Sequence, residues 1–501
     1  MDSKKVLNYI ATSILIITMS FNPTIIILSH ILISYHRHYK RIIRFENNLF
    51  MYSFFILSVN FSTIFLNFLI KKKISIKYVL VFSNLCQIIS WFLYYNFNLS
   101  ILILFILILI IGFCYGLNVS YSMYNMSSYQ KNNYKIPMIF GLISSVVSKL
   151  YSLFILKYTE IINDTFKDNN ILDRKYFPFI LSKKIKDIIL YYILLLSIQM
   201  LISFLFITNI SNKEVEGKIE SSINSEINKF EEGSNDSFDE EEKKIIDYGK
   251  NELVVMIPLL SFPIIYKPFI REEEKYTEKM FHVILKNSKK SFRFKRFFIA
   301  CLFMNFPEEI LFASFIMFVI NKKINVIESY NMITWTSLIS GAFYFIFYVM
   351  KTKKKNINYR ILIIIKTVFS IFMCIYAIFI KDYYEIIFSV IIGILFFLNQ
   401  EITNIYLEKV FDIDWSVYLF QICCFCKGIS AVIGSLILYL ACGSKLVDKI
   451  QFYNMIYVGA IFTNIISFFI IFLDDQSNFN EDINIKEFTE MQDNLKKKKN
   501  S

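Results

Sequence analysis

The sequence places a lysine where a membrane helix would be expected. Lys427 lies in the stretch CCFCKGISAVIG (423–434), near the middle of an apolar run from about Trp415 to Ala441. A lysine at the centre of such a helix costs about 2.5–3.5 kcal/mol on insertion scales, and that cost is rarely kept without a use. An ammonium group in a low-dielectric cavity attracts an anion strongly. Lys427 therefore either binds an anion, or snorkels or pairs with a carboxylate on a neighbouring helix.

Three glutamates also lie in apolar segments. Glu308 and Glu309 follow the motif NFP (305–307), where the proline can interrupt a helix and free backbone groups for a site. Glu401 follows Asn399-Gln400 in a later segment. A carboxyl group buried away from water can bind a proton near neutral pH. The three glutamates are predicted proton-coupling residues, and a salt bridge to a buried lysine is the alternative.

Cysteine and histidine show no catalytic or metal-binding pattern. All eight cysteines lie in or beside apolar segments, so a secreted disulfide framework is not expected. The Cys423–Cys426 cluster has no histidine near it, and the four histidines lack HExxH spacing. A membrane enzyme would need a His/Asp or Cys/His constellation, and ATP drive would need a P-loop. The sequence contains neither, so it predicts no catalytic residue, no metal and no cofactor, and the protein is not expected to be an enzyme.

The elements that must position these residues are long apolar blocks. Hydrophobic residues make up 55% of the 501, the mean hydropathy is +0.48, and the blocks are continuous rather than alternating. Such blocks, each about 20 residues long, predict an all-α polytopic membrane protein. The twelve predicted spans are about 6–34, 48–70, 76–96, 99–127, 136–157, 187–209, 296–320, 328–350, 361–380, 384–407, 415–441 and 452–473.

A polar segment separates the sixth and seventh spans. It contains an acidic run at 239–242 within a low-complexity stretch, which predicts a largely disordered linker. An apolar part with three prolines, 253–270, is expected in the membrane interface. The predicted domains are an N-terminal six-helix bundle (1–210), a linker (211–295), a C-terminal six-helix bundle (296–474) and a polar tail (475–501).

The charge distribution predicts contact with a membrane. The net charge is +13, and the basic residues lie in loops between apolar blocks, which favours anionic lipid over nucleic acid as the partner. The basic loops 71–77 and 351–360 and the tail lysines place the termini and the linker in the cytoplasm, although the basic loop 36–44 contradicts that orientation. The plasma membrane is the expected location, with an organelle membrane as the alternative. A monomer is expected.

The two halves of the chain resemble each other. IIGFCYGLN (110–118) and IIGILFFLN (391–399) fit the pattern I-I-G-x4-L-N at an offset of 281, and the same offset maps the basic loop 71–77 onto 352–358. It also maps Lys149 onto position 430, about one helical turn from Lys427. The two lysines are predicted to form a pseudo-symmetric pair around an anion. Snorkelling of Lys149 is the alternative.

A duplicated six-helix unit with a basic loop after its second helix resembles the major facilitator superfamily. The segment 411–435 further resembles the tenth-to-eleventh helix segment of its monocarboxylate and oxalate–formate antiporter-like branch, in Phe411, Phe420, Lys427, Gly428 and Gly434. The resemblance implies that the halves rock about a midplane site and that Lys427 holds a substrate carboxylate. It also implies that the first, fourth, seventh and tenth helices line the cavity.

The sequence departs from this family in two places. The acidic–Gly–Arg signature of the first basic loop is absent, and the eighth span has no arginine to hold a second carboxylate. A substrate with one carboxylate therefore fits better than oxalate.

The predicted function is secondary transport of a small organic anion by alternating access, with protons as coupling ion in a symport. The expected substrate is a monocarboxylate such as lactate, pyruvate or formate. The predicted substrate-binding residues are Lys427, Lys149, Asn118, Tyr115, Asn399 and Gln421. Each of the uncharged ones also fits a helix–helix hydrogen bond. The alternatives are an amino-acid transporter of the same superfamily, or a receptor or scaffold with the acidic linker as a docking segment.

Overall fold

The structure is a computed structural model, and it describes the helices, one hairpin and a few flanking residues of the chain. The described parts are residues 3–19, 47–71, 74–96, 100–128, 179–207, 253–257, 262–266, 292–321, 358–379, 385–410, 413–442 and 450–473, together with scattered helical residues in 143–155 and 335–346.

Helices make up nearly all of the described chain. Ten long helices are present there, and each overlaps a different predicted span: α1 (Ser3–Met19), α2 (Asn48–Lys71), α3 (Ile76–Asn96), α4 (Ile101–Ser128), α5 (Phe179–Phe206), α6 (Phe292–Asn321), α7 (Tyr359–Phe379), α8 (Glu385–Val410), α9 (Ile413–Cys442) and α10 (Ile450–Phe472). The fifth and eighth predicted spans fall mostly outside the described residues.

Two short strands lie in the predicted linker. β1 (Leu253–Ile257) pairs antiparallel with β2 (Phe262–Tyr266), with Leu253 opposite Tyr266 and Ile257 opposite Phe262. This hairpin was not predicted from the sequence. The rest of the predicted linker, 211–252 and 267–291, lies outside the described residues.

Seven of the described helices are long and apolar enough to cross a bilayer: α3, α4, α5, α7, α8, α9 and α10. Large apolar side chains are exposed along them, including Phe82 on α3, Leu102 on α4, Leu194 on α5 and Phe462 on α10. Apolar side chains on the outer surface suit contact with lipid. The polar side chains of the same helices, such as Asn84 on α3, are buried instead.

The described residues belong to two compact units. The first holds α1, the part of α2 from Ser58, α3, α4, α5 and the hairpin. Its interior includes Trp91 of α3 packed edge-to-face on Tyr192 of α5, with ring centroids 5.4 Å apart. A Cβ at Gly116 of α4 would lie 2.9 Å from the Val59 carbonyl oxygen, so the α2 and α4 backbones approach closely there.

The second unit holds α2 as far as Leu57 and helices α6 to α10. Phe297 of α6 stacks on Tyr406 of α8 with ring centroids 3.9 Å apart, and Tyr359 of α7 meets the same tyrosine edge-on. Three helices are thus held around one aromatic cluster near the start of α6 and α7, which fixes where their later residues lie.

Glycines bring α9 close to its neighbours in the second unit. A Cβ at Gly428 would lie 2.6 Å from the Cα of Leu57 on α2, and a Cβ at Gly434 would lie 3.2 Å from Ile310 on α6. Because Gly428 follows Lys427 directly, the turn of α9 that carries Lys427 packs closely against α2. The helix bounds also follow the internal repeat: adding 281 to α3 gives 357–377, against 359–379 for α7, and adding it to α4 gives 382–409, against 385–410 for α8.

Candidate functional site

The site forms around the middle of α6, which contains Pro307. Proline has no amide hydrogen, so the carbonyl four residues earlier, that of Phe303, loses its helical donor. Glu308 and Glu309 follow the proline directly, and both side chains are buried within the second unit. Buried carboxylates need compensating charge or hydrogen bonds, and two lysines supply it.

Lys427 of α9 pairs with Glu309. The Lys427 Nζ lies 3.3 Å from Glu309 Oε1, and the two side chains are 6% and 1% exposed. Tyr52 of α2 donates its hydroxyl hydrogen to Glu309 Oε2 at 3.2 Å. The Lys427 ammonium also lies 4.7 Å from the ring centroid of Phe396 on α8, within cation–π range. Four helices therefore contribute to one buried ion pair.

Lys366 of α7 pairs with Glu308 on another side of α6. Its Nζ lies 3.4 Å from Glu308 Oε1, and both side chains are fully buried. Lys366 was not among the residues predicted from the sequence, although it is an isolated lysine in the ninth predicted span and so meets the criterion that identified Lys427. Tyr52 was missed as well, since one tyrosine in an aromatic-rich segment carries no distinguishing signal.

The four charged groups sum to zero net charge. Two adjacent carboxylates on α6 meet two ammonium groups from α7 and α9. Removing one member of a buried pair is strongly destabilising because the other is left uncompensated, whereas removing both is tolerated far better. An incoming charged ligand must therefore either replace a member of a pair or bring a compensating charge with it.

The remaining predicted residues of the second unit lie on α8 and α9. Asn399 is buried, and its side-chain amide has no hydrogen-bond partner within the described chain; its backbone oxygen accepts from Thr403 at 2.8 Å. It lies one turn after Phe396, on the same side of α8. Glu401 is also buried and has other contacts. Gln421 lies in α9, but its side chain is outside the described part.

Three predicted residues belong to the first unit. Asn118 of α4 is buried and donates to Asn84 Oδ1 of α3 at 2.8 Å, which is a helix–helix hydrogen bond. Tyr115 is buried one turn earlier on α4. Lys149 lies in the helical residues 146–151, with a half-buried side chain that has contacts. In the part of the chain that the structure describes, no group of three or more His, Cys, Asp or Glu side chains could hold a metal ion.

Comparison with known proteins relates the fold to membrane transporters. No protein-family model and no curated protein matches the chain. Among solved structures, the nucleoside transporter NupG matches with a TM-score of 0.59 at 10% identity, over 94% of this chain and 100% of that one. A point mutant of the same transporter gives 0.57 at 11% identity, over 92% and 99%. A point mutant of the peptide transporter POT, in complex with alafosfalin, gives 0.54 at 11% identity, over 96% of both chains.

These similarities cover almost the whole chain and concern the fold. The chain shares the fold of these transporters, and helices make up nearly all of its described residues, in agreement with the predicted major facilitator fold. With its long apolar helices, it is an integral multi-pass membrane protein. Membership of the monocarboxylate branch stays a prediction.

Proposed function

We propose that this protein is a secondary transporter that carries a small organic anion across its membrane by alternating access. The observation that carries the proposal is the buried pair of Lys427 and Glu309 beside the proline of α6. An ammonium group held at this depth suits a carboxylate ligand, and the adjacent glutamate supplies a group that can release it. The structural neighbours named above are transporters, which supports the transport class.

Lys427 is the more suitable of the two buried lysines. The Lys366 ammonium donates to the Met304 carbonyl and the Asn464 amide oxygen and lies 3.4 Å from Glu308 Oε1, and its side chain is fully buried. The Lys427 side chain is 6% exposed, and its ammonium contacts the Glu309 carboxylate and the face of Phe396. A substrate carboxylate that takes the place of Glu309 preserves the charge balance at Lys427, so this lysine is the proposed anion-binding group.

Proton coupling follows from the same exchange. If an anion binds Lys427 in place of Glu309, Glu309 becomes a buried carboxylate without a counter-ion. This state is costly until Glu309 binds a proton. The groups that face Glu309 are Lys427 from α9, Tyr52 from α2 and Glu308 from α6 itself. A bound anion plus one proton leaves the net charge of the site at zero. We therefore propose electroneutral symport of one proton with each monocarboxylate, such as lactate, pyruvate or formate.

A zwitterionic substrate is the second candidate. The observation that favours it is the close pair of opposite charges, 3.3 Å apart, because an amino acid could insert its carboxylate at Lys427 and its amine at Glu309. This exchange needs no proton. The two candidates therefore differ in their dependence on a pH gradient as well as in their substrates.

Uptake by purified protein in reconstituted vesicles tests the proposal. We expect labelled lactate, pyruvate or formate to accumulate when the outside is acidic, and unlabelled monocarboxylates to compete. Competition by amino acids alone, with no effect of the pH gradient, would instead support the zwitterion. Nucleosides and dipeptides belong in the same panel, and uptake restricted to either of them would refute the anion assignment.

Asn399 is the proposed second contact with the substrate. The internal repeat relates it to Asn118, since 118 plus 281 is 399. Asn118 bonds to Asn84, whereas the buried side-chain amide of Asn399 has no hydrogen-bond partner among the described residues. A buried polar group left unsatisfied costs about 1–3 kcal/mol, and a substrate that hydrogen-bonds to Asn399 would remove that cost.

Alanine at these two repeat-related positions is expected to have different effects. Asn399→Ala should raise KM about tenfold, the equivalent of one lost hydrogen bond of about 1.4 kcal/mol, with little change in the unfolding temperature. Asn118→Ala should lower the unfolding temperature, because Asn84 loses its donor. Uptake kinetics and thermal unfolding in detergent measure both. An unchanged KM in Asn399→Ala, or a loss of stability equal to that of Asn118→Ala, would contradict the assignment.

A further inference from the structure

We propose that Lys366 is a positioning residue that clamps the proline-containing turn of α6 and so directs Glu309 at Lys427. This inference rests on the proposed function of the Lys427–Glu309 pair. It concerns a cluster on a different side of α6 that the transport proposal does not itself use, formed by Lys366, Glu308, Asn464, Ser370 and the Met304 carbonyl.

The Lys366 ammonium bridges the proline. It donates to the Met304 carbonyl oxygen at 2.9 Å, three residues before Pro307, and contacts the Glu308 carboxylate at 3.4 Å, one residue after it. Proline removes a helical hydrogen bond at this turn, so the backbone is less constrained there than elsewhere in α6. The Lys366 side chain of α7 thus contacts α6 both before and after Pro307, where a helical hydrogen bond is missing.

The clamp is itself held from a third helix. Lys366 also donates to Asn464 Oδ1 of α10. The Asn464 amide nitrogen in turn donates to Ser370 Oγ at 2.6 Å and to the Ala460 carbonyl at 3.0 Å. Lys366, Ser370 and Asn464 are all fully buried. The hydrogen bonds from Lys366 to Asn464 and from Asn464 to Ser370 are therefore shielded from solvent, and hydrogen bonds are strongest in such surroundings.

The geometry of α6 connects this clamp to the anion site. Consecutive helical residues point about 100° apart, so Glu308 meets α7 while Glu309 meets α9 and α2. A rotation of this turn would move both carboxylates together. The clamp also neutralises Glu308, so that the second carboxylate does not compete with Glu309 for Lys427. Lys366 acts on the substrate only through Glu309.

The test uses a variant in which both charges of the clamp are removed, Lys366→Met with Glu308→Gln, because the single lysine change would leave Glu308 buried and uncompensated. Purified protein is first compared with wild type by hydrogen–deuterium exchange over residues 300–312. We expect exchange in this turn to rise at least tenfold, while exchange in α3 and α4 stays at the wild-type rate. This readout needs no substrate, so it holds even if none of the tested solutes is transported.

Uptake kinetics provide the second readout. The double variant should raise KM for the transported carboxylate at least tenfold and shift the pH profile of uptake, with a smaller change in kcat. Asn84→Ala, which removes a buried hydrogen bond of the first unit, should lower stability without moving either quantity. Absence of uptake in wild-type protein would refute the transport proposal and leave the exchange result to decide on the clamp.

Ser370→Ala keeps every charge and removes only the hydrogen bond that orients Asn464. It is the second variant, in case the double variant does not fold, and it should raise exchange over 300–312 about threefold. Wild-type exchange over 300–312 in either folded variant would overturn the clamp, as would a wild-type KM and pH profile in a double variant that is merely less stable. In that case Lys366 is a structural residue only.

Discussion

Replacing Lys427 with methionine is expected to lower uptake of the transported carboxylate at least thirtyfold. Methionine has a similar length but no charge, so the substrate loses its partner and Glu309 loses its counter-ion at the same time. Truncating one member of a buried, hydrogen-bonded charge pair costs about 2–5 kcal/mol, which is roughly thirtyfold to several thousandfold in binding. Initial rates in reconstituted vesicles, normalised to the amount of inserted protein, measure the effect.

Two controls separate binding from folding. In Lys427→Met with Glu309→Gln, the uncompensated carboxylate is removed, so stability should return towards wild type while uptake stays low. Lys77→Met is the matched lysine control. The Lys77 Nζ lies 4.6 Å from the centroid of the Phe204 ring, a contact similar to that of Lys427 with Phe396, but Lys77 lies at the start of α3 and outside the site. Uptake in Lys427→Met at more than a third of the Lys77→Met level would exclude Lys427 as the anion-binding residue.

The helical fold could be predicted from sequence because the bilayer imposes it. A chain in lipid must satisfy its backbone internally and must be apolar for about 20 residues at a time. Those demands appear directly in the apolar blocks, and each of the ten described helices overlaps one of them. The β1–β2 hairpin was not predicted, since its strands are short and β2 contains Pro263, which is unusual in a strand.

The charged residues of the site were easier to identify from sequence than their partners. Lys427, Glu308 and Glu309 are conspicuous because a charge is rare in an apolar block. Which glutamate meets which lysine depends on how α6 is rotated relative to α7 and α9, and the residue pattern does not contain that information. The structure supplies it, with Glu309 facing α9 and Glu308 facing α7.

The pairing also changes how Lys427 is interpreted. From sequence, substrate binding and a salt bridge were alternatives, and the structure contains the salt bridge. The two are compatible if they alternate during transport, since the substrate then replaces Glu309 rather than entering an empty site. The predicted roles of Lys427 and Glu309 are therefore combined in one proposal, in which Glu309 binds a proton when the substrate binds Lys427.

Replacing Glu309 with glutamine is expected to abolish the dependence of uptake on a pH gradient. Wild-type uptake should rise at least fivefold when the outside is made acidic, because each anion enters with a proton bound by Glu309. Glutamine cannot take up that proton, so the ratio of uptake with and without the gradient should fall to about one. Exchange of labelled for unlabelled substrate at equal pH should persist, because it needs no net proton movement.

Glu401→Gln is the matched variant for this measurement. Glu401 is buried in the second unit and was also predicted to carry protons, but it lies outside the two ion pairs described on α6. Its acid stimulation should remain within twofold of wild type. If the gradient dependence is lost in Glu401→Gln and kept in Glu309→Gln, the proton travels on α8 rather than α6. Lys427 and Glu309 would then be a fixed ion pair that holds α9 against α6, and the anion would have to bind elsewhere.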